Sequence, residues 1–246
     1  MKTWILGIIA VSLPWTLAMA EDAATITTGG RTLSLPDPQG FPRVDLVEPL
    51  SKDLEAAVTS SGNRLLALYG TPPVTIGGGP IFHAQTPKGT EDIIYSTQQF
   101  QEVISSLTTL LGDPVSQGDI ANGDSHSLGI YDQGEHHLNF ATLRRQDPKA
   151  EDEEGLLTYV AASMNNVHGK AINLYCLVAA EPESNRALAR EQLATWQQTV
   201  LASNPTAQPE VIEPSMTPMQ RGAMIGTAAG LLGALIGLLV LKRKKA

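Results

Sequence analysis

From Gly222 to Leu241 the chain runs for 20 residues without a charged side chain, and Lys242, Arg243, Lys244 and Lys245 follow at once. At about 1.5 Å of rise per residue, a helix of that length reaches roughly 30 Å, the depth of a bilayer's hydrocarbon core. Positive charge clustered beside a spanning helix stays on the cytoplasmic side. Everything N-terminal to the run is therefore expected to face outward.

The other end agrees. Lys2, an apolar stretch from Trp4 to Leu17 interrupted by Pro14, and Ala18-Met19-Ala20 before Glu21 have the layout of a secretory leader, with small residues where a signal peptidase requires them. Cleavage is expected after Ala20. The reading is an exported protein of the bacterial inner membrane, single-pass, with its body in the periplasm and its C-terminus in the cytoplasm. The chain divides into a signal peptide (1–20), a periplasmic domain (21–203), a Pro-rich spacer (204–221), a transmembrane helix (222–241) and a basic tail (242–246). A removable sorting tail would share the apolar run and basic end. No sortase-type pentapeptide precedes the run, and Leu35-Pro36-Asp37-Pro38-Gln39-Gly40 lies far upstream and differs from that motif, so a permanent anchor is the preferred reading.

Within the run, Gly222, Gly226 and Gly230 recur every four residues, and Gly233 and Gly237 form a second pair. Small residues at that spacing let helix backbones approach closely. The partners this implies are the lipid bilayer and, through the glycine face, a second copy or another membrane protein. Glycine and alanine are common in membrane helices, so the spacing leaves that choice open.

Between residues 21 and 220 there are 11 Lys and Arg against 25 Asp and Glu, a net charge of −14. This argues against nucleic acid, whose phosphates need clustered cations, and against adsorption to anionic lipid except through the tail. A solvated acidic surface is the plain reading. The one cysteine, Cys176, excludes an intramolecular disulfide. Alternation places it on the face of Ile172, Leu174 and Val178, as a small core residue.

Ala24 to Leu35 reads as two short strands around Gly29-Gly30. A helix face follows at Leu50, Leu54, Ala57 and Val58, then a strand from Arg64 to Tyr69 and extended chain at Ile81–Thr86 and Ile93-Ile94. Ser96 and Gln99 form a capping box ahead of a stripe of Phe100, Val103, Ile104, Leu107 and Leu111. Strands are expected at Ser127–Tyr131 and His136–Leu143, then a hairpin of Leu156–Val167 and Ala171–Ala180 turning at His168-Gly169. Ala189, Leu193, Trp196 and Val200 line a last helix from about Glu183 to Ser203. Hairpin connections imply an antiparallel sheet. Both alternating faces of the last hairpin are apolar, so the expected class is α+β, an antiparallel sheet with helices on both faces (an α/β/α sandwich), plus the C-terminal transmembrane helix.

This element order resembles that of the PsbP-like domains. Leu33-Ser34-Leu35-Pro36-Asp37-Pro38-Gln39-Gly40-Phe41, Val167-His168-Gly169-Lys170 and the later Trp196 are similar to segments of bacterial exported proteins. The resemblance implies a fold over residues 25 to 204 and a non-enzymatic role.

No catalytic constellation emerges. His136 and His137, with Asp124, Asp132 and Glu135 nearby, are the candidate metal ligands. Adjacent strand residues point to opposite faces, however, so solvated histidines are the simpler reading and no metal or cofactor is expected. His168 belongs to a hairpin tip, and neither it nor His83 has a triad partner at a telling spacing. Gly77-Gly78-Gly79 lacks the Lys-Ser/Thr of a phosphate loop, and Glu151-Asp152-Glu153-Glu154 lacks the rhythm of a calcium loop. The expected function is a membrane-anchored periplasmic binding or scaffold protein. The alternative is an envelope hydrolase whose site is assembled from loops.

Overall fold

Gly29 and Gly30 both take positive φ, 49° and 73°, the conformation that lets two residues reverse a hairpin. They join β1 (Ala24–Thr28) to β2 (Arg31–Leu35). The computed structural model describes residues 24–45, 49–75, 77–111, 125–145 and 155–205. The leader with Ala20, the span with its five glycines, the basic tail, Asp124, Glu151-Asp152-Glu153-Glu154 and most of the spacer lie outside the described residues.

The remaining elements are α1 (Pro49–Ser60), β3 (Asn63–Gly70), β4 (Ile81–Pro87), α2 (Thr97–Leu111), β5 (Ser125–Gln133), β6 (His137–Arg145), β7 (Leu157–Val167), β8 (Lys170–Ala179) and α3 (Ser184–Ser203). Among the described residues, β1 and β2 form a two-stranded sheet, and the other strands form a six-stranded sheet in the order β3-β4-β8-β7-β6-β5. Every neighbouring pair is antiparallel. The fold is α+β, with antiparallel sheets and helices. No helix among the described residues is long and apolar enough to cross a membrane.

Two buried clusters make the core. One joins Leu54 and Val58 of α1 and Phe100, Val103 and Leu107 of α2 to Val160, Ala162, Tyr175 and Leu177 of the sheet. The other joins Leu193, Trp196 and Val200 of α3 and Leu33 and Leu35 of β2 to Tyr159, Ala161, Leu174, Cys176 and Val178. Along β8 the odd positions enter the first cluster and the even positions the second, as a pleated strand requires. Burial of Cys176 among apolar neighbours pushes its thiol well above the usual range, so it is an unreactive core residue.

The capping box forms as read: Gln99 N donates to Ser96 Oγ at 3.2 Å, and Ser96 N donates to Gln99 Oε1 at 2.9 Å. At the β7–β8 turn, His168 takes φ 53° and Gly169 φ 82°.

Ile93-Ile94 belongs to no strand. That loop is pinned from the side instead: buried Lys170 donates its Nζ to Glu91 O (2.7 Å) and Ile93 O (3.1 Å), and Tyr95 N donates to Gly169 O. With those groups engaged by the β7–β8 turn, no ladder forms there. Strand β6 begins at His137 rather than His136, because the backbone turns through Gly134, whose N–H donates to His137 O.

Candidate functional site

A β-bulge between Ile130 and Asp132 places two successive residues of β5 on the α3 side of the sheet. Tyr131 packs against the α3 cluster, and Asp132 meets its register partner Asn139. Asp132 Oδ2 accepts from His137 Nε2 at 3.0 Å and from Asn139 Nδ2 at 3.1 Å. Asn139 also donates to Gln197 Oε1 of α3 at 2.8 Å, so the carboxylate, two strands and a helix are joined through one amide.

Exposure is graded across this group. The Asp132 side chain is 55% exposed and that of His137 21%, whereas Asn139 and Gln197 are buried. Gly134 explains the seat of the imidazole, since a Cβ there would lie 2.5 Å from His137 Cε1. On the adjoining strand, Asn139 pairs with Ser163 and His137 with Asn165. The Ser163 hydroxyl donates to Asn165 Oδ1 at 3.2 Å, and Asn165 Nδ2 donates to the carbonyls of Ser163 and Ile172. Chemically, the cluster offers an accessible imidazole–carboxylate pair on a floor of amides, with the neighbouring hydroxyl engaged elsewhere.

Next to it, Arg190 of α3 lies over two rings, with Cζ 5.1 Å from the Tyr131 centroid and 5.6 Å from that of Tyr159. Its Nε donates to Tyr159 Oη. Burial raises both phenols above their usual range, opposed by the Arg190 charge. Both tyrosines therefore stay neutral.

Of the candidate ligands, His137 is brought to Asp132, and His136 is half-buried. No group of three or more His, Cys, Asp or Glu able to hold a metal ion occurs among the described residues. His168 stays at its turn, where its carbonyl accepts from Arg31 Nη1 at 2.6 Å. His83 is deep in the core, stacked on Tyr175, and burial pushes it down to about 3. Sequence reasoning missed Asn139, Gln197, Ser163 and Asn165. For Asn139, Ser163 and Asn165 the signal was polar residues recurring at alternate positions of otherwise apolar strands; Gln197, on helix α3, had no such signal.

Compared with protein-family models and with curated proteins, the chain matches none.

Proposed function

We propose that this is a membrane-anchored periplasmic binding or scaffold protein of the bacterial envelope, exported by residues 1–20 and held in the inner membrane by residues 222–241. The observation that carries it is the 20-residue uncharged run closed by Lys242, Arg243, Lys244 and Lys245. In this reading the body is an α/β/α sandwich of the PsbP-like kind, supported by one core cluster containing α1 and α2 and a second containing α3. A tied exit from the body supports the tether. Asn204, at the end of α3, accepts from Ser34 N at 2.8 Å and donates to Ser34 O at 2.7 Å. A binding role is supported by polar groups that join strands and helix rather than present a nucleophile to His137.

Protease added to intact spheroplasts is expected to digest the body, and the mature protein should leave the membrane only with detergent. A body that is spared, or a product that washes free, overturns the reading. Intact mass of the extracted protein distinguishes a permanent anchor, which retains residues 222–246, from a sorting tail, which loses them. Self-association of the full chain is expected to be lost in Gly226→Ile or Gly230→Ile; unchanged association removes the dimer.

The hydrolase reading draws on the His137–Asp132 contact, with His137 as the base acting on water. His137→Gln would then abolish turnover without unfolding the chain.

A further inference from the structure

We infer that Arg190 and Asp132 form a two-point surface site for a small zwitterion of the dipeptide class, its carboxylate on the guanidinium and its ammonium on the Asp132 carboxylate. Both groups are accessible: Arg190 is an exposed residue of α3, and the Asp132 side chain is 55% exposed. The bulge in β5 brings them together, because Tyr131, which carries the Arg190 guanidinium over its ring, directly precedes Asp132. Yet the two charges do not pair with each other. Among the described residues Arg190 forms no ion pair, and Asp132 forms only the one with His137.

Each is held from its own side instead. Arg190 donates its Nε to Tyr159 Oη and lies over the Tyr131 and Tyr159 rings. Asp132 is held through Oδ2, by His137 and Asn139. The outward atoms are left open: among the described residues, neither Nη of Arg190 nor Oδ1 of Asp132 has a hydrogen-bond partner. With Nε occupied, the end formed by the two Nη atoms remains, a fork that takes a carboxylate through two bonds. The open carboxylate oxygen accepts from an ammonium.

Spacing and charge select the ligand. The gap is too wide for a direct ion pair. Asp132 reaches α3 through Asn139 at Gln197, which shares a helix face with Arg190 about two turns away, roughly 10 Å along the axis. An extended dipeptide of about 7 Å, with a hydrogen bond at each end, is on that scale. A simple anion would be repelled by Asp132 and by the acidic body, and a simple cation by Arg190. A zwitterion meets neither penalty. The inference rests on the binding reading and names its ligand; protease access and detergent extraction judge the topology, so failure of this site leaves the anchored body standing.

The test titrates the full chain in detergent with diglycine, N-acetylglycine and glycinamide, and follows the Tyr131, Tyr159 and His137 ring signals by NMR. Diglycine is expected to bind about fivefold more tightly than either one-ended analogue, the factor that a second exposed ion pair supplies. Arg190→Met should lower diglycine to the level of glycinamide, and Asp132→Asn to that of N-acetylglycine. Arg190→Lys, which keeps the charge and drops the fork, should weaken diglycine as well. Equal affinity of the parent chain for diglycine and either analogue reduces the site to a lone charge contact and overturns the proposal. Ring signals unmoved by all of the probes, or diglycine binding unchanged in both Arg190→Met and Asp132→Asn, also overturn it. Should a variant fail to fold by circular dichroism, the comparison of probes on the parent chain decides.

Discussion

Trp196 Nε1 donates to the carbonyl oxygen of Pro36 at 2.7 Å, joining residues 160 positions apart in the chain. The same indole meets Tyr69 and Phe82 edge-on, at centroid distances of 5.4 and 5.7 Å. It thus fixes the segment after β2 to α3 and to the main sheet together. Trp196→Phe, which keeps the ring packing and drops the donor, is expected to cost about 1–3 kcal/mol. Trp196→Ala should cost about 3–5 kcal/mol. Urea unfolding of the full chain in detergent, followed by circular dichroism, measures both; a Trp196→Phe variant as stable as the parent would mean that the hydrogen bond contributes nothing.

His83 makes stability depend on pH. Its folded-state value of about 3 lies below the ordinary 6.5, so on acidification the unfolded chain binds the proton first. The stability associated with a neutral His83 is complete above pH 6.5 and declines as pH falls toward 3, at up to about 1.4 kcal/mol per unit. His83→Phe should flatten this acid limb. Parallel slopes for parent and variant between pH 6.5 and 4.5 would refute the assignment.

Gly134 and His137 are coupled by space. Gly134→Ala is expected to displace the imidazole from Asp132 and destabilise by about 1 kcal/mol. In a His137→Ala background the same change should be nearly neutral, since the atoms it would strike are gone. A double-mutant cycle reads this directly, and additive effects would contradict it.

The α2 capping box predicts that Ser96→Ala costs about 1 kcal/mol. Ser96→Asp should restore most of that loss, because a carboxylate accepts the same N–H. Failure of the aspartate to rescue would show that the serine acts through packing.

The parts of the fold legible in the sequence rest on neighbours a few residues apart. The Gly29-Gly30 and His168-Gly169 reversals follow from residues that tolerate positive φ. The capping box and stripe of α2 follow from three- and four-residue spacings. Cys176 was placed correctly among Ile172, Leu174 and Val178 by alternation alone.

The candidate site was legible only in part. Asp132 and His137 are close in sequence, but their contact depends on a bulge that moves Asp132 across the sheet, and no residue type announces a bulge there. Asn139 and Gln197 are 58 positions apart and meet only once α3 lies on the sheet. Buried Lys170 follows the same rule: its Nζ donates to two carbonyls of a loop some 80 residues earlier.

By itself, the sequence determined the element order, the antiparallel pairing through short turns, the acidic composition and the apolar C-terminal run, because each depends on local spacing or on composition. Tertiary structure alone decided which polar side chains are buried and with whom. A histidine has the same local signature whether it ends in water, as at a turn, or against Tyr175 in the core. The difference arises from the strand that pairs beside it, and for His83 that strand, β8, lies some 90 residues further along the chain.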